Sequence, residues 1–256
     1  MRPTVRALPP LALAFHGVAD VPLRQDPQGL FVAPDELRRH VRRLRDWGYR
    51  LVTFRQLAEL AAEGGGAGHA ALTFDDGLVD NLETLVPLLA EENAPATVFV
   101  VSGWLGKPYP WGDWARIVTE EELRELAANG VEIGAHSRNH DDLSGLGYEQ
   151  ARVDLEECKR GLEEMVGPVE TAAYPFGRAN EDTIRACRDA GFRAACRISG
   201  EGSWSEPHNL PRQDMLNQSS ALGLRLKRDD LYEPLMRFPP ARAARRALRA
   251  LKALAQ

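Results

Sequence analysis

The sequence predicts a single-domain α/β fold in which parallel strands close into a barrel. Short apolar runs alternate with amphipathic segments along the chain, and this alternation is typical of parallel strands joined by helices. Seven or eight such units fit within the 256 residues, a length that one barrel can occupy. Side chains able to do chemistry recur where the apolar runs end, which is where such barrels carry their active sites.

Strands and helices follow in order from the period of the apolar residues. We expect strands at 11–15, 50–53, 70–74, 96–101, 131–135, 171–174, 192–198 and 209–213. We expect helices at 35–47, 54–63, 80–92, 120–129, 148–165 and 181–190. Capping boxes begin two of these helices, formed by Thr53 with Gln56 and by Thr119 with Glu122. Residues 1–236 are thus predicted to form the barrel domain.

The first apolar run is better interpreted as a strand than as part of a signal peptide. Arg2 and Arg6 precede the run at 11–15, but Pro9 and Pro10 interrupt the apolar stretch and keep it short. No stretch of the sequence approaches the apolar length of a membrane span. We therefore expect a cytoplasmic protein.

The composition is that of an ordinary globular protein, with 44% hydrophobic and 27% charged residues. A net charge of -5 argues against nucleic acid as a partner, because nucleic-acid binding favours a basic surface. The three cysteines, Cys158, Cys187 and Cys196, lack the spacing of metal ligands, so we expect reduced thiols. Cys158 and Cys187 lie in helical patterns and are expected to be packing residues.

Two pairs of polar side chains follow predicted strands and together indicate a metal site. Asp75 and Asp76 come directly after the third predicted strand, and His136 and His140 come after the fifth. One Asp and two His can supply three ligands to a divalent metal and leave a position open for water. The other Asp is then available as a base for that water, which predicts a metal-assisted hydrolase.

Each pair also has an ordinary structural interpretation. Asp-Asp-Gly after a strand is a common turn, because Asp bonds its own backbone and Gly accepts a positive φ angle. Any His-x3-His pair lies on one face of a helical turn, so the spacing alone is weakly specific. The occurrence of both pairs at predicted strand ends favours a functional site.

Three short motifs of this sequence resemble those of a known enzyme family. Residues 73–77 (Thr-Phe-Asp-Asp-Gly) and 136–140 (His-Ser-Arg-Asn-His) resemble the first two motifs of the polysaccharide deacetylases, the NodB-homology domain of carbohydrate esterase family 4. Residues 173–177 (Ala-Tyr-Pro-Phe-Gly) are similar to the third motif. The resemblance covers roughly residues 10–215 and implies an irregular (β/α)7 barrel.

The resemblance implies a role for each residue of the first two motifs. Asp76, His136 and His140 would hold one divalent metal, with zinc as the expected ion and cobalt, nickel or iron as other candidates. Asp75 would be the base that activates water for removal of an acetyl group.

The third motif implies contacts with the substrate. The resemblance places the backbone N–H of Phe176 where it would help to stabilise the oxyanion. The residues that would contribute to this part of the site are Tyr174, Pro175 and Phe176.

The general acid of the family has no direct match here. Many members carry a late Leu-x-His motif, whereas the corresponding stretch, 207–212, has the sequence Pro-His-Asn-Leu-Pro-Arg. His208 and His16 are therefore the candidate acids. An exposed loop position for His208 and a backbone-bonded core position for His16 are the structural alternatives.

The arginine that orients the base in many family members is also missing from its usual place. Thr171-Ala172-Ala173 precede Tyr174 in the third motif. Arg212, at the end of the last predicted strand, is a candidate substitute that would approach from another direction. An arginine bonded to loop carbonyls is the structural alternative.

Residues 102–118 contain four aromatic side chains among glycines and prolines: Trp104, Tyr109, Trp111 and Trp114. Aromatic faces stack on sugar rings and also pack on other apolar surfaces. The segment therefore has two interpretations. It is either a substrate-binding loop, in which Trp111 contacts the sugar, or a cover packed over the barrel.

Residues 237–256 contain six basic residues and no acidic residue. A helical projection places the basic side chains on one face and Leu248, Leu251 and Ala255 on the other. This pattern predicts a basic amphipathic C-terminal helix. It would either contact an anionic membrane peripherally or pack on the barrel with its charged face in water.

The sequence as a whole predicts a metal-dependent hydrolase acting on an N-acetylated amino sugar in a polysaccharide, an oligosaccharide or a lipid-linked glycan. The same metal site also suits an O-acetyl ester or a cyclic amide as substrate. A catalytically silent carbohydrate-binding module is the alternative from another class. Asp75 beside the predicted metal ligands favours the enzyme, because a binding module does not need a base.

Overall fold

The structure, a computed structural model, describes residues 8–198, 202–216 and 220–240. Its strands are β1 (Leu11–Phe15), β2 (Gly17–Val18), β3 (Phe31–Val32), β4 (Arg50–Val52), β5 (His69–Phe74), β6 (Thr97–Val100), β7 (Pro108–Tyr109), β8 (Gly112–Arg116), β9 (Glu132–Ala135), β10 (Thr171–Ala173), β11 (Ala194–Ile198) and β12 (Leu210–Asp214). Its helices are α1 (Pro34–Asp46), α2 (Phe54–Ala62), α3 (Val86–Glu92), α4 (Glu120–Ala128), α5 (Tyr148–Val166), α6 (Glu181–Asp189), α7 (Ala221–Arg228) and α8 (Tyr232–Arg237).

Seven parallel strands close into a ring, so the predicted (β/α)7 barrel is confirmed. The order around the ring is β1, β12, β11, β10, β9, β6 and β5, and the pairing of β1 with β5 closes it. The eighth strand of this sheet, β4, pairs with the first residues of β5 and lies outside the ring. The predicted strand at 50–53 therefore forms, but it does not contribute to closure.

Alternation along the strands separates two cores. Outward side chains of the ring, such as Leu13 and Leu72, pack against the surrounding helices. Inward side chains are mostly small, and Phe99 fills the centre of the ring together with Ala12, Ala71 and Ala173. Small inward residues leave interior space for a few larger polar groups, and the site described below lies in part of that space.

A polar layer lies at the amino end of the barrel, under helix α2. The Glu132 carboxylate accepts hydrogen bonds from the hydroxyls of Thr97 (2.9 Å) and Thr171 (2.7 Å) and from the backbone N–H of Arg55 (3.0 Å). The Thr97 hydroxyl in turn accepts from the backbone N–H of Phe54 at 2.8 Å. This network ties three adjacent strands to α2, which closes the amino end.

The predicted strands and helices agree with the structure for most of the barrel. They differ from it where the elements are short. Both predicted capping boxes are present, at the starts of α2 and α4. The helix expected at 80–92 begins as a π-helical turn, Asn81–Leu85, before it continues as α3. The sequence analysis missed β2, β3, β7 and β8 together with α7 and α8, because elements of two to eight residues show little or no period.

Two other expectations concern the cysteines and the C-terminal segment. Cys158, Cys187 and Cys196 are buried and free, and the first two were expected to be packing residues. Among the helices of the described residues, none is both long and apolar enough to cross a membrane. The predicted helix at 237–256 begins where α8 ends, and its residues 241–256 lie outside the described part of the chain.

We predict that Thr97→Val weakens the barrel at its amino end. The change preserves the shape of the side chain but removes the acceptor of the Phe54 N–H and a donor to Glu132. Because both partners stay largely out of water, we expect the free energy of unfolding in urea to fall by about 1–3 kcal/mol. Thr84→Val is the matched control, since the Thr84 hydroxyl forms no hydrogen bond within the described residues. Equal losses for the two variants would contradict the role of the network.

Candidate metal centre and active site

The predicted functional residues emerge at the carboxyl ends of neighbouring strands. Asp75 and Asp76 follow β5, and His136 follows β9; these two strands lie on either side of β6. The backbone ladder continues into both motifs, because the Asp75 N–H donates to the Phe15 carbonyl and the His136 N–H donates to the Val100 carbonyl, each at 2.9 Å. Strand register therefore fixes where both motifs start.

Unusual backbone conformations then turn the motif side chains towards one another. Asp76 (φ 76°), Ser137 (φ 63°), His140 (φ 61°) and Phe176 (φ 57°) all have positive φ angles, which non-glycine residues seldom adopt. The Ser137 hydroxyl accepts a hydrogen bond from the His140 N–H at 2.8 Å and stabilises the second turn. The His-x3-His pair is thus placed by a tight non-helical turn. Such strained residues persist where the surrounding structure fixes them, often at functional sites.

Asp76, His136 and His140 form a donor set that fits a divalent metal. The Asp76 Oδ1 atom lies 3.6 Å from His136 Nε2 and 3.4 Å from His140 Nε2, and one ligand atom from each residue lies within 4.8 Å of the others. Within the described residues, Asp76 Oδ1 is buried and has no hydrogen-bond partner. An unpartnered buried carboxylate oxygen facing two imidazoles is the arrangement that a bound cation would satisfy.

Hydrogen bonding sets the tautomer of His136. Its Nδ1 atom lies 2.8 Å from the carbonyl oxygen of Ala173. Because a carbonyl can only accept, Nδ1 carries the proton and Nε2 keeps its lone pair for a metal. Burial lowers the pKa of His136 to about 4, against the opposing effect of Asp75, so the ring is neutral at pH 7.

Asp75 has a different partner from Asp76. Arg212, from β12, donates two parallel hydrogen bonds to the Asp75 carboxylate, at 2.7 and 2.8 Å. A further bond of 2.9 Å joins the same guanidinium to the Thr73 hydroxyl, and the guanidinium also lies 5.2 Å from the centre of the Phe99 ring. The candidate substitute Arg212 therefore does approach Asp75 from another strand, and it is not bonded to loop carbonyls in the contacts described.

This ion pair determines the charge state of Asp75. Burial alone would raise the pKa of its carboxyl group, but Arg212 and His136 outweigh burial and hold that pKa below its ordinary range. The pKa of Asp76 is also lowered, because the imidazoles of His140, His16 and His136 outweigh its burial. Two ionised carboxylates therefore lie side by side, one bonded to Arg212 and the other facing the imidazoles.

The structure places His16 beside the two carboxylates. It follows β1 at the carboxyl end of the ring and is close enough to Asp75 and Asp76 to lower the pKa of both. Its backbone carbonyl accepts a hydrogen bond from Asn81, at 3.1 Å. Its buried Nδ1 atom has no hydrogen-bond partner among the residues described, so the backbone-bonded alternative does not hold for that atom.

The structure does not bring His208 to the site. His208 precedes β12, and its Nε2 atom lies 2.8 Å from the carbonyl oxygen of Phe192, which precedes β11. Both residues are therefore at the amino ends of their strands, whereas Asp75 lies at the carboxyl end of β5. The prediction that His208 is the general acid is wrong, because His208 and Asp75 lie at opposite ends of the barrel strands.

The Tyr174 side chain also points away from the site. Thr171 and Ala173 face into the ring, so alternation turns Tyr174 outwards, where it is buried beneath the helices. Its hydroxyl donates to the His208 carbonyl at 2.8 Å. The third motif reaches the metal ligands through Phe176 instead, whose ring lies 4.8 Å from that of His140. Pro175 is buried at the start of this turn.

Aromatic residues of the 102–118 segment surround His140. The ring of Trp104 stacks on His140 at 4.9 Å and the ring of Trp111 meets it edge-on at 5.0 Å. Trp111 is 39% exposed and Phe176 is 52% exposed, so both present open aromatic surface beside the metal ligands. We call Trp111 and Phe176 the aromatic rim.

Sequence reasoning gave no role to Tyr109, which the structure places at the site. Its hydroxyl donates a hydrogen bond to Asp76 Oδ2 at 3.0 Å, and its ring is buried. Burial and the adjacent Asp76 raise the pKa of Tyr109 far above its ordinary value, so the hydroxyl stays protonated. The only sequence signal for this residue was its position in an aromatic loop.

Fold and site together define a class. A (β/α)7 ring with carboxylates and imidazoles at the carboxyl ends of its strands is the architecture that the three motifs predicted. The sequence profile described as polysaccharide deacetylase matches residues 63–195, just over half of the chain. The chain belongs to the polysaccharide deacetylase family.

Curated relatives agree with this membership. The chitooligosaccharide deacetylase of Sinorhizobium fredii (strain NBRC 101917 / NGR234) is 30% identical over 156 residues, covering 59% of this chain and 66% of that protein. YxkH of Bacillus subtilis (strain 168), named after the polysaccharide deacetylase family, is 28% identical over 184 residues, covering 71% of this chain and 61% of that protein. This chain thus spans less than two thirds of the length of these relatives.

Solved structures share the fold. The Streptococcus pyogenes deacetylase PplD in complex with acetate has a TM-score of 0.73 and 21% identity, covering 86% of this chain and 98% of that chain. IcaB from Ammonifex degensii has a TM-score of 0.71 and 20% identity, covering 85% and 96%. At these identities the similarity is one of architecture.

We predict that Arg212→Met destabilises the protein by leaving the Asp75 carboxylate buried without its partner. The free energy of unfolding of the metal-free protein in urea should fall by about 3–5 kcal/mol. The double variant Asp75→Leu/Arg212→Met removes both charges, so its loss should be clearly smaller. Equal losses in the single and double variants would contradict this account, because the unpaired Asp75 carboxylate would then not be the cause of the loss.

Proposed function

We propose that this protein is a metal-dependent hydrolase that removes an acetyl group from an N-acetylated amino sugar within a polysaccharide, an oligosaccharide or a lipid-linked glycan. The observation that carries the proposal is the pairing of two different carboxylates. Asp76 faces two imidazoles as a metal ligand would, and Asp75 is held ionised beside it by Arg212. That separation of environments gives neighbouring acidic residues different roles.

Asp76, His136 and His140 would hold the metal. Two imidazoles and one carboxylate suit zinc, and cobalt, nickel or iron can bind the same donors. When bound, the ion would polarise the acetyl carbonyl and lower the pKa of a water molecule. The neutral ring of His136, with its proton on Nδ1, offers Nε2 without first having to lose a proton.

Asp75 would act as the base. It is ionised and lies 3.9 Å from His136 Nε2 through Oδ2, so it is close to the proposed metal ligands. The two bonds from Arg212 fix the plane of the carboxylate, and each of its oxygens retains a second lone pair that can accept a proton. A water molecule that attacks the acetyl carbon would transfer its proton to Asp75.

Phe176 and His16 would assist the later steps. The backbone N–H of Phe176 is the proposed donor to the developing oxyanion. The ring of the same residue contacts His140. Breaking the C–N bond releases acetate and an amine, and the amine must gain a proton. His16 is the proposed source, because His208 lies at the other end of the barrel and His16 lies beside both carboxylates.

The aromatic rim is evidence in favour of a carbohydrate substrate. Trp111 and Phe176 expose flat apolar faces next to the metal ligands, and such faces stack on sugar rings. The relative from Sinorhizobium fredii is named a chitooligosaccharide deacetylase, which favours an N-acetylglucosamine oligomer or polymer as the substrate of this chain.

Two further expectations stay predictions. One is that residues 237–256 contact an anionic membrane, and the other is that the protein is cytoplasmic.

The first test is acetate release from N-acetylglucosamine oligomers and from lipid-linked and nucleotide-linked forms. Protein stripped of metal should be inactive, and zinc or cobalt should restore the activity. Asp75→Asn should lower kcat by about 10²–10⁴-fold while it still binds one metal ion per chain. His136→Ala is the companion variant and should lose both the metal and the activity.

Four results would contradict this proposal. Full activity of the stripped protein would remove the metal from the reaction, and full activity of Asp75→Asn would remove the base. If the metal-loaded protein cleaves an O-acetyl ester or a cyclic amide but releases no acetate from any N-acetyl sugar, the substrate class is wrong. Sugar binding without turnover of any of these compounds would indicate a silent binding module.

A further inference from the structure

We propose that Tyr109 is a positioning residue that makes Asp76 a metal ligand through one oxygen only and thereby raises the affinity of the site for its metal. The inference rests on the metal assignment of the proposed function. It concerns a residue outside the three family motifs, on the short strand β7.

The two oxygens of Asp76 have different surroundings. Oδ2 accepts the Tyr109 hydroxyl at 3.0 Å. Oδ1 has no hydrogen-bond partner in the described part of the chain and faces the Nε2 atoms of His136 and His140. A carboxylate with both oxygens free can bind a cation through either or both. The hydroxyl engages Oδ2 and leaves Oδ1 for the metal.

Tyr109 is held firmly enough to orient Asp76. Its ring is 3% exposed and meets Phe31 edge-on at 6.1 Å and Trp111 edge-on at 5.3 Å. β7 pairs with β8 in an antiparallel ladder, so the backbone of Tyr109 lies opposite that of Gly112. A side chain fixed by packing loses little further freedom when its hydroxyl bonds a neighbour.

The same loop is bonded to the turn that carries the carboxylates. The Val118 N–H donates to the Gly77 carbonyl and the Val79 N–H donates to the Arg116 carbonyl, each at 3.0 Å. The last residue of the Asp-Asp-Gly turn and a residue shortly after it are thus bonded to the end of β8 and to the residues that follow it. Tyr109 and Asp76 therefore belong to one connected unit, which maintains the distance between hydroxyl and carboxylate.

Orientation matters here because the backbone of Asp76 is in an unfavourable conformation. With a φ angle of 76°, the residue depends on its contacts to keep its side chain aimed at the imidazoles. A partner that bonds the far oxygen of a ligating carboxylate contributes to metal affinity by orienting the ligand before the ion arrives.

The test is the zinc affinity of Tyr109→Phe, measured on the full chain by competition with a chromogenic chelator. Removing only the hydroxyl should weaken zinc binding by about 10–100-fold. The visible spectrum of the cobalt-loaded variant should also change, since it reports the ligand geometry. With zinc in large excess, kcat should be reduced and KM for the sugar should stay near the wild-type value.

Two matched variants separate the hydroxyl from its surroundings. Tyr49→Phe also removes a buried hydroxyl, one that has no hydrogen-bond partner among the described residues, and should bind zinc like wild type. Phe31→Leu removes a ring that packs on Tyr109 but keeps the hydroxyl. Among the described residues, Phe31 is not one of the aromatic rings that contact His140, so this variant should leave zinc affinity within about threefold. Circular dichroism of each metal-free variant shows that it is folded.

The outcomes distinguish this inference from the proposed function. If Tyr109→Phe binds zinc as tightly as wild type and gives the same cobalt spectrum, Tyr109 does not position Asp76, and the deacetylase proposal is unaffected. An equal loss of affinity in Phe31→Leu would also overturn the inference, since packing rather than the hydroxyl would then be responsible. A wild-type chain that binds no zinc or cobalt would overturn both proposals.

Discussion

The bidentate ion pair between Arg212 and Asp75 organises the carboxyl end of the barrel. A guanidinium and a carboxylate can be buried together only if they bond each other. Here the Thr73 hydroxyl and the Phe99 ring also contact Arg212, whose buried Nε atom has no hydrogen-bond partner among the described residues. The alanines on the inner face of β1, which lies between β12 and β5, leave the space through which Arg212 reaches across. The pair keeps Asp75 ionised in a position that is otherwise unfavourable for charge.

A second constraint acts on the neighbouring residue. Asp76 is turned by its positive φ angle away from the interior and towards the two imidazoles, where Tyr109 bonds one of its oxygens. Two adjacent carboxylates therefore receive partners from opposite parts of the molecule, one from inside the ring and one from the loop above it. Their difference in surroundings is what permits one to be a base and the other a ligand.

Local pattern was sufficient to predict part of this arrangement. The seven ring strands and the grouping of Asp76, His136 and His140 follow from apolar runs and motif spacing, because parallel strands bring their carboxyl ends together. The contact of Arg212 with Asp75 joins residues 137 positions apart and depends on ring closure, so the sequence offered it only as a candidate. Tyr109 lies in a loop without periodicity, and its contact could not be predicted. His208 was wrongly assigned to the site because it lies at the amino end of its strand. The alternation of side chains along β10, with Thr171 and Ala173 facing inwards, could have excluded the Tyr174 side chain from the site.

The separation of base and ligand can be observed in a crystal of the protein grown with zinc, by anomalous diffraction on both sides of the zinc absorption edge. We expect one strong anomalous peak in contact with Asp76, His136 and His140, while Asp75 stays paired with Arg212. A zinc ion bound by Asp75 with Arg212 turned away, or a peak elsewhere on the molecule, would contradict the assignment of different roles to the two carboxylates.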